Sequence, residues 1–323
     1  MKKNLDALCR FSQDKLSQLQ KEFETTLPKK YKEKYGICIY ACGSLGRMEL
    51  GEASDLDLFF ISHSFGEENG EGTIPKADKE EFFSAVKSIG KELDFPPPSK
   101  NGKYLKFTPL NNLLDIGSSE EDYNNSFTAR MLLLLESKPL YNLEAYDHLV
   151  KSVVEKYFVD YPPYKRNFYP LFLMNDIRRY WYTLCLNYEY RRDDDDDRAQ
   201  RYRKRLKLKF ARRITCFSML ACLYEKGVSP DYVIACVKKT PFERFEMLAQ
   251  NSKELIDTLQ KIRKEYEHYL ILKTHSTSWW GKDPARKENA FKCADSFQHL
   301  LNYNFLKEIA KKNPPLLERI DLY

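Results

Sequence analysis

Asp55 and Asp57 are the residues of this chain best placed to do chemistry. They lie in Ser54-Asp55-Leu56-Asp57-Leu58-Phe59-Phe60, whose apolar residues predict a strand over 55–61. Residues i and i+2 of a strand share a face, so both carboxylates can aim at one spot. Two hard oxygen donors converging there suit Mg²⁺ or Mn²⁺ rather than zinc. Both aspartates are therefore read as metal ligands. A glycine turn, Gly43-Ser44-Leu45-Gly46, precedes them. Its bare backbone N–H groups and the Ser44 hydroxyl suit phosphate oxygens. A phosphate cradle beside a divalent-metal site is the minimal equipment for phosphoryl or nucleotidyl transfer.

Positioning these groups needs a sheet. Residues 35–41 (Tyr-Gly-Ile-Cys-Ile-Tyr-Ala) predict a first buried strand that delivers the chain into the turn. An amphipathic helix is expected over 4–27, where Leu5, Leu8, Leu16, Leu19 and Phe23 recur near the helical period. Further helices are expected over 79–93 and 123–137, and a short third strand over 104–108. After Pro139 the pattern changes to helices alone: 144–158, 168–190, 200–226, 229–239, 241–273 and 286–312. The expected fold is α/β: a small mixed sheet with flanking helices in a catalytic domain over 1–140. An all-α domain over 141–312 and a tail over 313–323 follow. Five consecutive aspartates, Asp193 to Asp197, repel one another and predict a solvated hinge.

The stretch from Gly43 to Leu58 resembles the nucleotidyltransferases of the DNA polymerase β superfamily. Gly43-Ser44 stand for that family's Gly-Ser pair, and Asp55 and Asp57 for its two strand acids. With Arg47, Glu49 and Ser54 it is most similar to the bacterial uridylyl- and adenylyltransferases that regulate nitrogen metabolism. The resemblance implies a polymerase β-like fold, a (d)NTP substrate, and Mg²⁺ (or Mn²⁺) on Asp55 and Asp57. Gly43 and Ser44 would grip the β and γ phosphates. It also implies a third carboxylate on a neighbouring strand, yet Tyr104-Leu105-Lys106-Phe107 carries no acid. Asp115, flanked by apolar residues, is the best candidate, with Glu120, Glu121 and Asp122 as alternatives. Arg47 either pairs with Glu49 to prop the turn or touches phosphate. Arg130, inside an apolar helix, needs a partner: a carboxylate or substrate phosphate. Seven basic residues among the eleven of 203–213 favour an anionic ligand, with Lys207 and Lys209 reaching the triphosphate.

Three kinds of acceptor hydroxyl compete: a protein, a small molecule or RNA, and a growing polymer or signal molecule. The chain ends in Asn313-Pro314-Pro315 and a short segment closed by Tyr323. A tyrosine hydroxyl on such an arm can accept the first nucleotide. Length, plan and terminal tyrosine are similar to the nucleotidyltransferases of the Hailong antiphage systems. That resemblance implies template-free, protein-primed synthesis of a single-stranded DNA oligomer and a partner effector protein at the membrane. A protein- or RNA-modifying uridylyl- or adenylyltransferase is the alternative. A non-catalytic nucleotide sensor or toxin–antitoxin subunit is the reading that the missing third acid supports.

Composition agrees with a folded enzyme. Of 323 residues 42% are hydrophobic, and the net charge is +6, mildly basic. Eight cysteines without a Cys-x-x-Cys pair suit free thiols in a reducing cytoplasm. The five histidines match no metal spacing. Apolar runs such as Met131 to Leu135 are far too short to span a bilayer, and no secretory pattern follows Met1-Lys2-Lys3, so a cytoplasmic protein is expected. The residues leave base, sugar and oligomeric state open.

Overall fold

A strand with no charged residue must be covered on both faces, and β1 (Ile37–Cys42) is: all six residues are buried. The computed structural model describes residues 4–63, 74–97, 105–117, 125–166, 168–190, 198–224, 227–276, 279–280 and 283–311. The chain divides into two units: Asp6–Val159, and the chain from Asp160 on together with the first five residues.

The first unit is built on a four-stranded mixed sheet of order β3-β2-β1-β4. β2 (Asp57–Ser62) runs antiparallel to β1, from Cys42 opposite Asp57 to Ile37 opposite Ser62. β3 (Phe107–Pro109) lies parallel to β2, and β4 (Lys138–Tyr141) antiparallel to β1. One face, with Ile37, Ile39, Ala41 and Phe60, shares a core with α1 (Leu5–Thr26), α2 (Lys30–Glu33) and α4 (Lys76–Glu92). The other carries Tyr40, which stacks on its cross-strand partner Phe59 at 5.3 Å. The Tyr40 hydroxyl donates to the Ala129 carbonyl of α6 (Ser126–Glu136) at 3.2 Å. Its ring meets Tyr146 of α7 (Leu143–Lys156). Two short helices complete the unit: α3 (Gly43–Gly46) and α5 (Leu110–Leu114).

The boundary expected after residue 140 falls inside this unit. Pro139 does not close the sheet; it sits in β4, opposite Tyr40 beside a register shift. Proline is tolerated there because β4 is an edge strand with an outer side that needs no donor. α7 then packs on the same sheet, carrying the unit to Val159.

His63 follows β2 and packs near His148 of α7, with 5.5 Å between ring centres. Its Nε2 is buried and has no hydrogen-bond partner among the described residues. Burial first, then the His148 ring, lowers its pKa from 6.5 to about 4. The unfolded chain therefore takes up a proton near pH 6.5 that the folded chain refuses until about pH 4. Stability contributed by neutral His63 is full above pH 6.5 and is lost as pH falls through that window. Urea unfolding at pH 5 should show a fold weaker than at pH 7 by about 1 kcal/mol from this group, allowing for its partial exposure. His63→Gln should remove that share of the pH dependence; an unchanged slope would reject the assignment.

The second unit is helical, as expected: α8 (Tyr161–Tyr164), α9 (Leu171–Tyr190), α10 (Arg198–Lys207), α11 (Arg213–Cys222), α12 (Pro230–Lys238), α13 (Pro241–Ala249), α14 (Lys253–Leu272), α15 (Pro284–His299) and α16 (Lys307–Lys311). Two π-helical turns, Leu208–Arg212 and Leu300–Leu306, interrupt helices that the apolar period reads as continuous. The helix expected over 241–273 breaks at 250–252, where Ser252 caps α14 through the Leu255 N–H. Phe210 is fully buried and stacks on Tyr269 at 4.7 Å. Among the described residues no helix is long and apolar enough to cross a membrane. The aspartate run 193–197, Glu120, Glu121, Asp122 and Tyr323 lie outside the described residues.

Candidate active site

The register of β1 with β2 builds the site. Antiparallel pairing sets Asp57 opposite Cys42, one residue before the glycine turn. Gly43 adopts φ +67°, a left-handed conformation that glycine takes without cost. A Cβ on Gly43 would lie 2.5 Å from Asp57 Oδ2, inside van der Waals contact. The missing side chain of Gly43 is thus the space that the Asp57 carboxylate fills. α3 starts at this point with no side-chain cap, and N–H groups in a first helical turn have no acceptor within the turn.

Gly46 is needed for a second close approach. A Cβ there would fall 1.8 Å from the Glu136 carbonyl oxygen at the end of α6. The turn is thereby pressed against α6, and a buried ion cluster joins them. Arg47 donates through Nε and Nη2 to Glu49 Oε1 at 2.8 and 2.6 Å, and through Nη1 to Glu136 Oε2 at 2.6 Å. All three side chains are almost wholly buried, at 4%, 2% and 1% exposure. Met48, between the paired residues, is left-handed with φ 58°. Of the two roles open to Arg47, pairing with Glu49 is the one seen.

The chain beyond is fixed at two more points. The Leu50 N–H donates to Ser12 Oγ of α1 at 2.8 Å. Ser54 closes a turn with Gly51: its N–H donates to the Gly51 carbonyl, and its Oγ accepts the Gly51 N–H at 3.0 Å. Asp55 follows directly, two residues ahead of β2 rather than within it. Asp55 and Asp57 are both exposed. The Asp57 carboxylate thus stands at the mouth of the turn, with Asp55 two residues before it in sequence; carboxylate oxygens suit Mg²⁺ or Mn²⁺.

Asp115 lies off the sheet, exposed in the residue that ends α5. Arg130 is wholly buried. Its Nε donates to Tyr157 Oη at 2.8 Å and its Nη1 to the Leu113 carbonyl at 3.3 Å. It tethers α5, and with it the segment bearing Asp115, to α6. In the helical unit Lys209 pairs with Asp295 at 2.7 Å. Lys207 ends α10, just before the π-turn.

Sequence reasoning missed Glu136 and Ser12. Glu136 stands 89 residues from Arg47; its sole local sign is a charge closing the apolar run Met131 to Leu135.

A glycine turn set against an acid-bearing strand puts backbone N–H groups beside a carboxylate, the elements of a phosphate and metal site. The family of glutamate-ammonia ligase adenylyltransferases matches the chain over residues 6–96, the stretch holding the turn and both aspartates. The chain is related to nucleotidyltransferases at that level. No curated protein and no solved structure matches it.

Proposed function

We propose that this chain is a Mg²⁺-dependent nucleotidyltransferase, moving a nucleoside monophosphate from a (d)NTP to a hydroxyl. The observation that carries the reading is the Asp57 carboxylate seated over Gly43. In the reaction the acceptor oxygen bonds to the α-phosphorus, the α–β bridging bond breaks, and pyrophosphate leaves. Asp55 and Asp57 would hold Mg²⁺, which supplies Lewis acidity at the triphosphate and lowers the hydroxyl pKa. The backbone N–H groups after Gly43 and the Ser44 hydroxyl bind phosphate oxygens. Arg47, turned towards Glu49 and Glu136, holds the turn in place. Asp115 is the candidate to take the acceptor proton, since β3 and residues 103–106 before it carry no acid.

The finer reading is template-free synthesis of a single-stranded DNA oligomer, primed on Tyr323, in antiphage defence with a partner effector at the membrane. A cationic groove of about 490 Å³ in the helical unit supports it, lined by Arg205, Lys209, Lys287, Phe291 and Lys292, with Glu288 and Asp295. Arg205 lies 4.7 Å from the Phe291 ring centre. Basic side chains beside aromatic faces suit phosphates and bases. Transfer to a protein or RNA acceptor is the competing reading; the adenylyltransferase match supports the protein acceptor.

The test is to incubate the pure protein with each α-labelled NTP and dNTP plus Mg²⁺, and resolve it on a denaturing gel before and after protease. A protein-linked ladder supports self-primed polymerisation. Labelling of an added protein or RNA supports the competitor. No transfer from any nucleotide to the protein or to added protein, RNA and DNA hydroxyls would overturn the assignment.

A further inference from the structure

Glu265 and His268 are three residues apart on α14, so they share a helix face. Cys293 of α15 joins them. One ligand atom from each of the three lies within 4.8 Å of the other two. The Cys293 thiol donates to Glu265 Oε2 at 2.8 Å, and Ser296 Oγ donates to Glu265 Oε1 at 3.1 Å. We infer that Glu265, His268 and Cys293 form a binding site for a borderline divalent transition metal, Zn²⁺ foremost. The ligands are one carboxylate oxygen, one imidazole nitrogen and one thiolate.

The donor set decides the metal class. Mg²⁺ and Ca²⁺ prefer oxygen alone, whereas oxygen, nitrogen and thiolate together suit Zn²⁺ and Co²⁺. Bond lengths of about 2.0–2.3 Å in tetrahedral geometry put ligand atoms roughly 3.3–3.7 Å apart. The observed spread needs only small side-chain shifts to meet that. Cys293 is buried, Glu265 half-buried and His268 exposed, so a fourth position faces solvent. As the metal–sulfur bond forms, the thiol proton leaves to solvent, and the Cys293–Glu265 hydrogen bond is replaced by two metal bonds. Because the thiol proton is displaced on binding, binding tightens as pH rises. The ion would pin α14 to α15, within a unit that has none of the proposed transfer residues of the glycine turn. The inference stands whether or not the chain transfers nucleotides.

Stripped full-length protein in excess Mg²⁺ is titrated with Co²⁺, reading the sulfur-to-cobalt charge-transfer band. The band should saturate at equimolar Co²⁺ and disappear on adding Zn²⁺. Zn²⁺ should also raise the melting temperature, because it binds the folded state. Cys293→Ser should lose the band while keeping its circular dichroism. His268→Ala, at an exposed position, should weaken Co²⁺ binding by about tenfold or more. No band in the wild type would leave only a hydrogen-bonded trio and overturn the site. So would the same band in Cys293→Ser, or unchanged affinity in His268→Ala. If Cys293→Ser fails to fold, the wild-type titration and His268→Ala decide the matter.

Discussion

Asp55→Asn with Asp57→Asn should abolish nucleotide transfer and leave the fold standing. Replacing the two proposed ligands would remove the charge that, on the proposed function, holds a divalent cation against the triphosphate. That stabilisation is several kcal/mol in the transition state, so the rate should fall by about three orders of magnitude or more. Both side chains are exposed, and removing two neighbouring like charges relieves their repulsion. The melting temperature should therefore stay within a few degrees. Gly43→Ala should reach nearly the same loss of activity by another route. Its methyl group would enter the space of Asp57 Oδ2 at 2.5 Å, at a φ of +67° that an L-residue resists. The carboxylate must move while its charge is kept. Labelled-nucleotide transfer and thermal melting, measured on the same preparations, check both variants. A double asparagine variant at full rate would end the metal-ligand assignment.

Arg47→Met should be the most destabilising single change near the site. It takes the Arg47 cation away from the buried Glu49 and Glu136 carboxylates, and breaking a buried ion pair from one side costs about 3–5 kcal/mol. For a unit of this size that lowers the melting temperature by about 10 °C. The triple variant Arg47→Met, Glu49→Gln, Glu136→Gln should recover much of the loss, because no uncompensated charge remains. Melting curves of the single and triple variants decide it. A single variant that melts within a degree or two of wild type would show that the cluster contributes little to the fold.

The placement of Asp57 against the glycine turn was legible because it is local. Gly43, Ser44, Asp55 and Asp57 lie within one short stretch, and antiparallel pairing of its two flanking strands brings its ends together. The apolar period likewise foretells α1, α4 and α6, and the helical character of the second unit. What was not legible depends on distant partners. Glu136 looks like any charge closing a helix until α6 is docked against Gly46. β4 is four residues long, contains a proline and has no alternating pattern of its own; only pairing with β1 makes it a strand. The π-turns are invisible to a helical period that they shift by one residue. His268 matches no metal spacing because its neighbour Cys293 comes from another helix, 28 residues beyond Glu265.

The Arg47 cluster also sets how small a working piece of this chain can be. The family-like stretch ends at residue 96, and it includes the turn and both aspartates. Cut there, it would lose β3, β4 and α6: two of four strands, and the carboxylate answering Arg47 from outside the turn. Transplanting the signature into another protein would carry the reagents without their scaffold. The signature is contiguous; the carboxylate that braces it lies forty residues past residue 96, at the far end of α6.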